Sequence, residues 1–216
     1  MSEILIYNTD PNANYNVNDR KGTSGDPWHH LPAPEWVEKQ IDYGVNNVSG
    51  EYLIPLLKEY NKPLVGCEIG VCLGFTSEAI LRNVLIEKLY AVDNYPTFID
   101  WNGGDLNADR QKLMKEYAYK LLLPYSNKID FVYKSSVEFA NEIEDEALDF
   151  IFIDGDHSYD GCLGDFSAWW PKVKSGGLFT GHDFNLPSVN EALKDFLGDK
   201  FNEIKTGTRD VWYLYK

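Results

Sequence analysis

The stretch VGCEIGVCLGFTSEAI, Val65 to Ile80, decides the fold. With Leu64 it opens as an apolar strand, LVGCEI, breaks at glycines, and resumes with Ala79, Ile80 and Val84 at helical spacing. A buried strand, a tight turn and a helix over Thr76 to Leu85 follow from that pattern. Gly66, Gly70 and Gly74 fall four residues apart. Glycine just after a strand lets the backbone turn sharply and come close to a ligand. Glu68 stands among apolar neighbours, where a glutamate is rarely left unpaired. The dinucleotide fingerprint GxGxxG is absent, because Gly70 is followed by Val71-Cys72-Leu73-Gly74.

Outward from this unit the chain alternates. Val48 to Tyr60 reads as a helix before the first strand, and LYAVD as the second strand after it. Asp105 to Leu123 carries Leu106, Leu113, Tyr117 and Leu121 at helical spacing, and IDFVY is a third strand. SSVEFANEI is a short helix in which Ser135 and Glu138 match a capping box. DFIFID is the fourth strand, GDFSAWW a helix ending at Pro171, GLFTGHD the fifth strand and Ser188 to Leu197 a helix. FNEIKT and VWYLYK flank Gly207 as a closing hairpin. In contrast, residues 7 to 34 are crowded with Asn, Asp, Gly and Pro and predict an irregular arm. The expected fold is α/β: a Rossmann-like, seven-stranded, mostly parallel sheet with helices on both faces and an antiparallel C-terminal hairpin.

Composition narrows the partners. The 216 residues suit one α/β domain. A formal charge of −14, with Arg20-Lys21 the only basic run, argues against nucleic acid. No apolar stretch approaches the roughly 20 residues of a membrane span, and MSEILIYNTD lacks a signal pattern, so no membrane partner is expected. Cys67, Cys72 and Cys162 show no CxxC spacing and read as reduced packing residues of a cytoplasmic protein.

In open parallel sheets, ligands lie beyond the carboxyl ends of the strands, where the strand order reverses. Four of the five strands end in acid: Glu68 before Gly70, then Asp93, Asp154 and His182-Asp183. Asp93 follows Gly70 by 23 positions, where an acid can accept hydrogen bonds from both hydroxyls of a ribose. In FIFIDGDHSYDG, Phe150 to Gly161, a core strand runs straight into Asp154, Asp156 and His157. Charge at the mouth of a core is costly unless a metal, a nucleotide or a moving proton needs it. Adjacent strands lie roughly 4.8 Å apart, so neighbouring fourth and fifth strands would bring Asp154 and His182-Asp183 into one crevice, suited to a divalent cation.

ExGxxxG followed by the acid of LYAVDN resembles the cofactor site of the class I S-adenosylmethionine-dependent methyltransferases. The resemblance covers about Val48 to Lys216. It implies that Glu68, Gly70 and Gly74 hold the amino-acid end of S-adenosylmethionine, Asp93 the ribose, and Ser136 the adenine. Residues 1–47 would then be an irregular N-terminal arm or lid and 48–216 the methyltransferase domain. IDGDHSYDG followed by SGGLFTGHDF resembles the metal-dependent O-methyltransferase branch that includes the macrocin and catechol enzymes. There Asp154, His182 and Asp183 would hold Mg²⁺ or Mn²⁺ and His157 would take the proton of a small-molecule hydroxyl (sugar, phenol or natural product). Asp156 would either orient His157 or hold a water on the metal. His182 departs from the carboxylate usual there, and an imidazole shifts preference toward Mn²⁺, Fe²⁺ or Zn²⁺. Either it ligates directly or water completes the shell.

Other readings stay open on the residues alone. Asp154-Gly155-Asp156 satisfies the short DxD pattern of nucleotide-sugar glycosyltransferases, though that leaves Glu68 and Asp93 idle. A metal-independent methyltransferase with His157 or His182 as base is the nearest variant, and a non-catalytic relative keeping the fold is another. Asp154 could instead cap the following helix. Trp28-His29-His30 and the loop Tyr95 to Trp101 suit a lid over the acceptor pocket, or a contact between copies in a homo-oligomer.

Overall fold

The computed structural model describes residues 31–99 and 105–216. Among these, seven strands form one sheet, ordered β5-β2-β1-β6-β7-β9-β8. Their ranges are β1 Leu64–Ile69, β2 Ile86–Val92, β5 Ile129–Val132, β6 Leu148–Ile153, β7 Val173–Gly181, β8 Lys205–Thr206 and β9 Trp212–Tyr215. The first five in spatial order pair in parallel; β9 runs antiparallel to both β7 and β8. The chain leaves β1 toward β2 and β5, then returns to lay β6 on the other side of β1. The order therefore reverses between β1 and β6, and the crevice expected of such a sheet opens there.

Period-2 alternation divides each strand between two apolar layers. Cys67, Ile69, Ile151, Ile153, Phe179 and Trp212 face α5 (Ser136–Ala140), α6 (Tyr159–Trp169) and α7 (Pro187–Leu197). Leu64, Leu89, Ala91, Phe150, Phe152 and Leu178 face α2 (Leu53–Lys58), α3 (Phe75–Asn83) and α4 (Ala108–Leu122). β6 is buried along its whole length, as a central parallel strand covered on both faces must be. Caps lie where short polar side chains precede the helices. Asn107, Ser135 and Ser158 accept hydrogen bonds from the amides of Arg110, Glu138 and Gly161 at 3.1, 3.4 and 3.1 Å. Because Ser158 caps α6, Asp154 is left free of that duty.

The structure departs from the sequence reading in four places. Asp105–Leu106 is not the first turn of α4 but β4, pairing antiparallel with β3 (Phe98–Ile99), and the helix starts at Ala108 behind its Asn107 cap. The buried face of that helix is Met114, Ala118 and Leu122, one residue on from the expected stripe, with Leu113, Tyr117 and Leu121 half-buried. The first half of FNEIKT ends a 3-10 turn, and only Lys205–Thr206 pairs with β9.

The arm also differs. Ala33–Val45 is a helix, α1, begun by a proline in its first turn, where a missing N–H costs nothing. It buries Trp36 and Val37 against Leu73 and Met114, in a third apolar cluster apart from the two sheet layers. The Arg110 guanidinium stacks 4.6 Å from the Trp36 ring and donates to the Leu31 carbonyl at 2.9 Å. Trp28, His29, His30, Asp100 and Trp101 lie outside the described residues. No helix of the described residues is long and apolar enough to cross a membrane.

Gly70 fixes the crevice. Its φ is +86°, and a Cβ there would lie 2.0 Å from the Asp154 carbonyl oxygen, so the β1 and β6 loops approach closer than any side chain permits. Gly70→Ala should cost about 2 kcal/mol or more in urea unfolding, through strain and clash together. An unchanged midpoint would mean the two loops need not touch.

Candidate active site

The parallel ladder delivers each loop to one mouth. Asp154 N–H donates to the Ile69 carbonyl at 2.9 Å, and His182 N–H to the Ile153 carbonyl at 3.1 Å. Gly70 N–H and Asp93 N–H donate likewise to the carbonyls of Val92 and Val132, at 2.9 and 3.0 Å. The residues ending β1, β2, β6 and β7 are therefore set side by side by backbone bonds.

On the β6–β7 side, four charged groups meet. His157 Nε2 lies 3.3 Å from Asp154 Oδ1 and 3.1 Å from Asp183 Oδ2. His182 Nδ1 lies 3.6 and 3.1 Å from the same two oxygens. Burial alone would lower both imidazoles, but hydrogen bonds to the two carboxylates outweigh it and push each up to about 10. Burial would raise the two carboxyls, and the histidines hold both below the usual range, Asp183 the further. Asp183 has φ +57°, a conformation that a non-glycine residue adopts only when its surroundings insist. Around it, Trp212 Nε1 donates to the His182 carbonyl at 3.0 Å and Ser188 Oγ to the His157 carbonyl at 2.6 Å. Both histidine backbones are thus pinned.

Asp154, His182 and Asp183 each offer one ligand atom, all within 4.8 Å of one another. With bonds of about 2.1 Å, neighbouring ligands of an octahedral ion stand about 3.0 Å apart. The 3.1 and 3.6 Å separations at His182 are close to that, so this nitrogen-and-two-oxygen set fits a divalent cation. Asp156 does not join it. Its Oδ1 accepts the Ser158 amide at 2.8 Å, and its carboxylate lies over Gly161, where any Cβ would meet it at 2.4 Å. Its side chain belongs to the turn entering α6. Asp154 and Asp156 consequently do not converge as a DxD pair.

On the β1–β2 side, Glu68 is 2 % exposed and accepts a hydrogen bond from Ser77 Oγ. Burial, only partly offset by Ser77, and the charges of Asp154 and Asp93 push its carboxyl up to about 8. Asp93 accepts the Cys72 amide at 2.9 Å on one oxygen and the Tyr95 amide at 2.7 Å on the other, so it braces the glycine loop. Burial raises its carboxyl against those amide bonds. Gly74, in the left-handed region at φ +83°, is the N-cap of α3. Ser136 Oγ accepts from Trp169 Nε1 at 2.7 Å and also bonds the Asp165 carboxylate.

The reading of the sequence passed over Ser77, Asp165, Ser188 and Trp212. Two of them carried a signal. The inward stripe of α3 is Ser77, Ile80, Leu81, Val84, and that of α6 is Cys162, Asp165, Phe166, Trp169. A polar residue on such a stripe announces a buried polar partner.

The fold is Rossmann-like, and backbone bonds gather the acids that end β1, β2, β6 and β7 at one mouth. The chain matches the methyltransferase domain family over residues 67–184, more than half its length, and belongs to that family. Protein R132 of Acanthamoeba polyphaga mimivirus is 26% identical over 149 residues. That match covers 64% of this chain, and the chain spans 63% of the length of that relative. Among solved structures, the O-methyltransferase NovP shares the fold at TM-score 0.57 and 19% identity, over 78% of each chain. CalS11, a TDP-rhamnose 3'-O-methyltransferase, shares it at TM-score 0.55 and 14% identity, over 86% of this chain and 87% of the other.

A raised folded-state pKa means that the folded protein holds its proton where the unfolded chain has lost it. The Glu68 contribution is thus fully present below about pH 4.5 and is lost as pH rises through about 8. Without cofactor, Glu68→Gln should raise the melting temperature over the natural protein more at pH 9 than at pH 5. Parallel melts at the two pH values read the difference, and an equal shift at both would contradict a neutral Glu68.

Proposed function

We propose that this chain transfers the methyl group of S-adenosylmethionine to a hydroxyl of a small molecule, assisted by a divalent cation. The observation that carries this is the convergence of Asp154, His182 and Asp183, with His157 against them, on the sheet of a methyltransferase-family protein. Glu68 and the glycine loop would take the amino-acid end of the donor; its ammonium would favour the ionised carboxylate that burial now disfavours. Of the roughly four acceptor sites of the Asp93 carboxylate, the amides of Cys72, Tyr95 and Val71 take three, which leaves one for a ribose hydroxyl.

Asp154, His182 and Asp183 would hold the cation, which lowers the pKa of an acceptor hydroxyl when bound. The nitrogen in the set favours Mn²⁺, Fe²⁺ or Zn²⁺ over Mg²⁺. His157 accepts the proton at Nε2. Its raised pKa comes from the two carboxylates, and once their charge is engaged elsewhere, burial favours the neutral ring that can act as base. The methyl sulfonium needs little further activation, so the remaining task is to align oxygen, methyl and sulfur. A surplus of 14 negative charges makes a polyanionic acceptor unfavourable.

S-adenosylhomocysteine at 100 times its dissociation constant should stabilise the protein by about 2.7 kcal/mol. Against a panel of phenols and sugars, methylation should stop in EDTA and return with Mn²⁺, and Asp154→Ala and Asp183→Ala should abolish it. His157→Ala should still bind S-adenosylhomocysteine while turnover falls by about 10²–10⁴. Full activity in chelator would remove the cation from the reaction, and full turnover in His157→Ala would remove the base.

A further inference from the structure

The turn that joins β8 to β9 braces the backbone behind Asp183. β7 and β9 pair antiparallel as far as Gly181 and Trp212, and two residues further along that register stand Asp183 and Asp210. Both hold positive φ, +57° and +58°, and Arg209 beside them holds +58°. Seven non-glycine residues among the described ones have positive φ, so three of the seven meet at this one contact. Such a backbone persists only where its surroundings over-determine it. Bonds on both sides do so here. Asp210 accepts the Phe184 amide on its carbonyl at 3.0 Å, and its Oδ1 accepts from Asn185 Nδ2. The residues one and two past Asp183 are thus both held by Asp210. Asp183 closes its own turn by accepting the Leu186 amide at 2.9 Å. On the far side, Arg209 Nη2 donates at 3.1 Å to the carbonyl of Asn46, the residue that ends α1. A Cβ on Gly207 would stand 2.3 Å from the Tyr52 ring, so the turn has little room to shift.

Released from such bonds, an aspartate favours negative φ. A φ change of that size re-aims the Cα–Cβ bond, and at Asp183 it would carry the carboxylate off His157 and His182, which its Oδ2 now meets at 3.1 Å each. Resting on the cation reading above, we propose that Asp210 is a positioning residue of the cation pocket. By clamping Phe184 and Asn185 it keeps Asp183 in the left-handed conformation that aims its carboxylate at the other ligands. It acts through the backbone of Asp183 and not as a ligand. Two properties of an aspartate suit the place. Its short side chain tolerates the left-handed region, and its carboxylate accepts from the amide of the facing loop. Asparagine shares both properties, and alanine has neither.

The test is Mn²⁺ binding to the full chain, read from the electron paramagnetic resonance signal of the free ion, with a melting curve for each variant. Asp210→Ala should weaken Mn²⁺ about tenfold, because apparent affinity falls with the fraction of molecules in which Asp183 is competent to bind. Asp210→Asn should stay within about twofold of the natural protein. A residue that only stabilises the fold would lower the melting temperature of Asp210→Ala and leave the dissociation constant of the folded protein unchanged. That result overturns the proposal. Equal weakening by Asn and Ala overturns it as well, since the charge and not the clamp would then be at work. Should Asp210→Ala not fold, Asn185→Ala removes the same side-chain bond from its exposed partner and should weaken Mn²⁺ severalfold. An unchanged constant in that variant counts against the clamp in the same way. No Mn²⁺ uptake by the natural protein overturns the cation reading itself, a separate outcome.

Discussion

Two carboxylates held against each other in a half-buried crevice would repel, and the arrangement of this mouth follows from resolving that repulsion. Asp154 and Asp183 end adjacent parallel strands, so the backbone ladder forces them together regardless of charge. His157 and His182 answer with two imidazoles in contact with the same two oxygens. The balance is local and does not reach the rest of an acidic surface. It also makes the pocket exchangeable: a dication offers the same positive charge in one point, with shorter bonds.

The sheet separates two further acids from this pair. Glu68 faces α3 on one side and Asp165 lies under α6 on the other, each with one serine hydroxyl for company. Both are pushed upward by burial, to about 8 and about 6. The layers around them close with Leu, Ile and Phe. Buried acids with raised pKa values gather at functional sites.

Much of this was legible beforehand. Strand–helix alternation and glycine spacing carried the sheet, and the acids at strand ends carried the site, because period-2 and period-3.6 patterns are local. The arm was misread because Trp36 and Val37 find their partners, Leu73 and Met114, far along the chain. Asp156 also serves its own backbone. Two positions past a ligand-like Asp is also where an Asx turn accepts its own backbone, and the turn prevailed. His157 stands three positions past Asp154, and its contact with Asp183 depends on β6–β7 pairing, which no single stretch encodes.

The third apolar cluster bears on how the molecule can be dissected. Leu73 belongs to the glycine loop, and half-buried Tyr95 of the same cluster donates its hydroxyl to the Cys72 carbonyl at 2.9 Å. A fragment beginning at residue 48 would keep every strand and every acid of the crevice, yet strip Trp36 and Val37 from the outer wall of that loop. Leu73 and Met114 would then face water where the first helix now covers them.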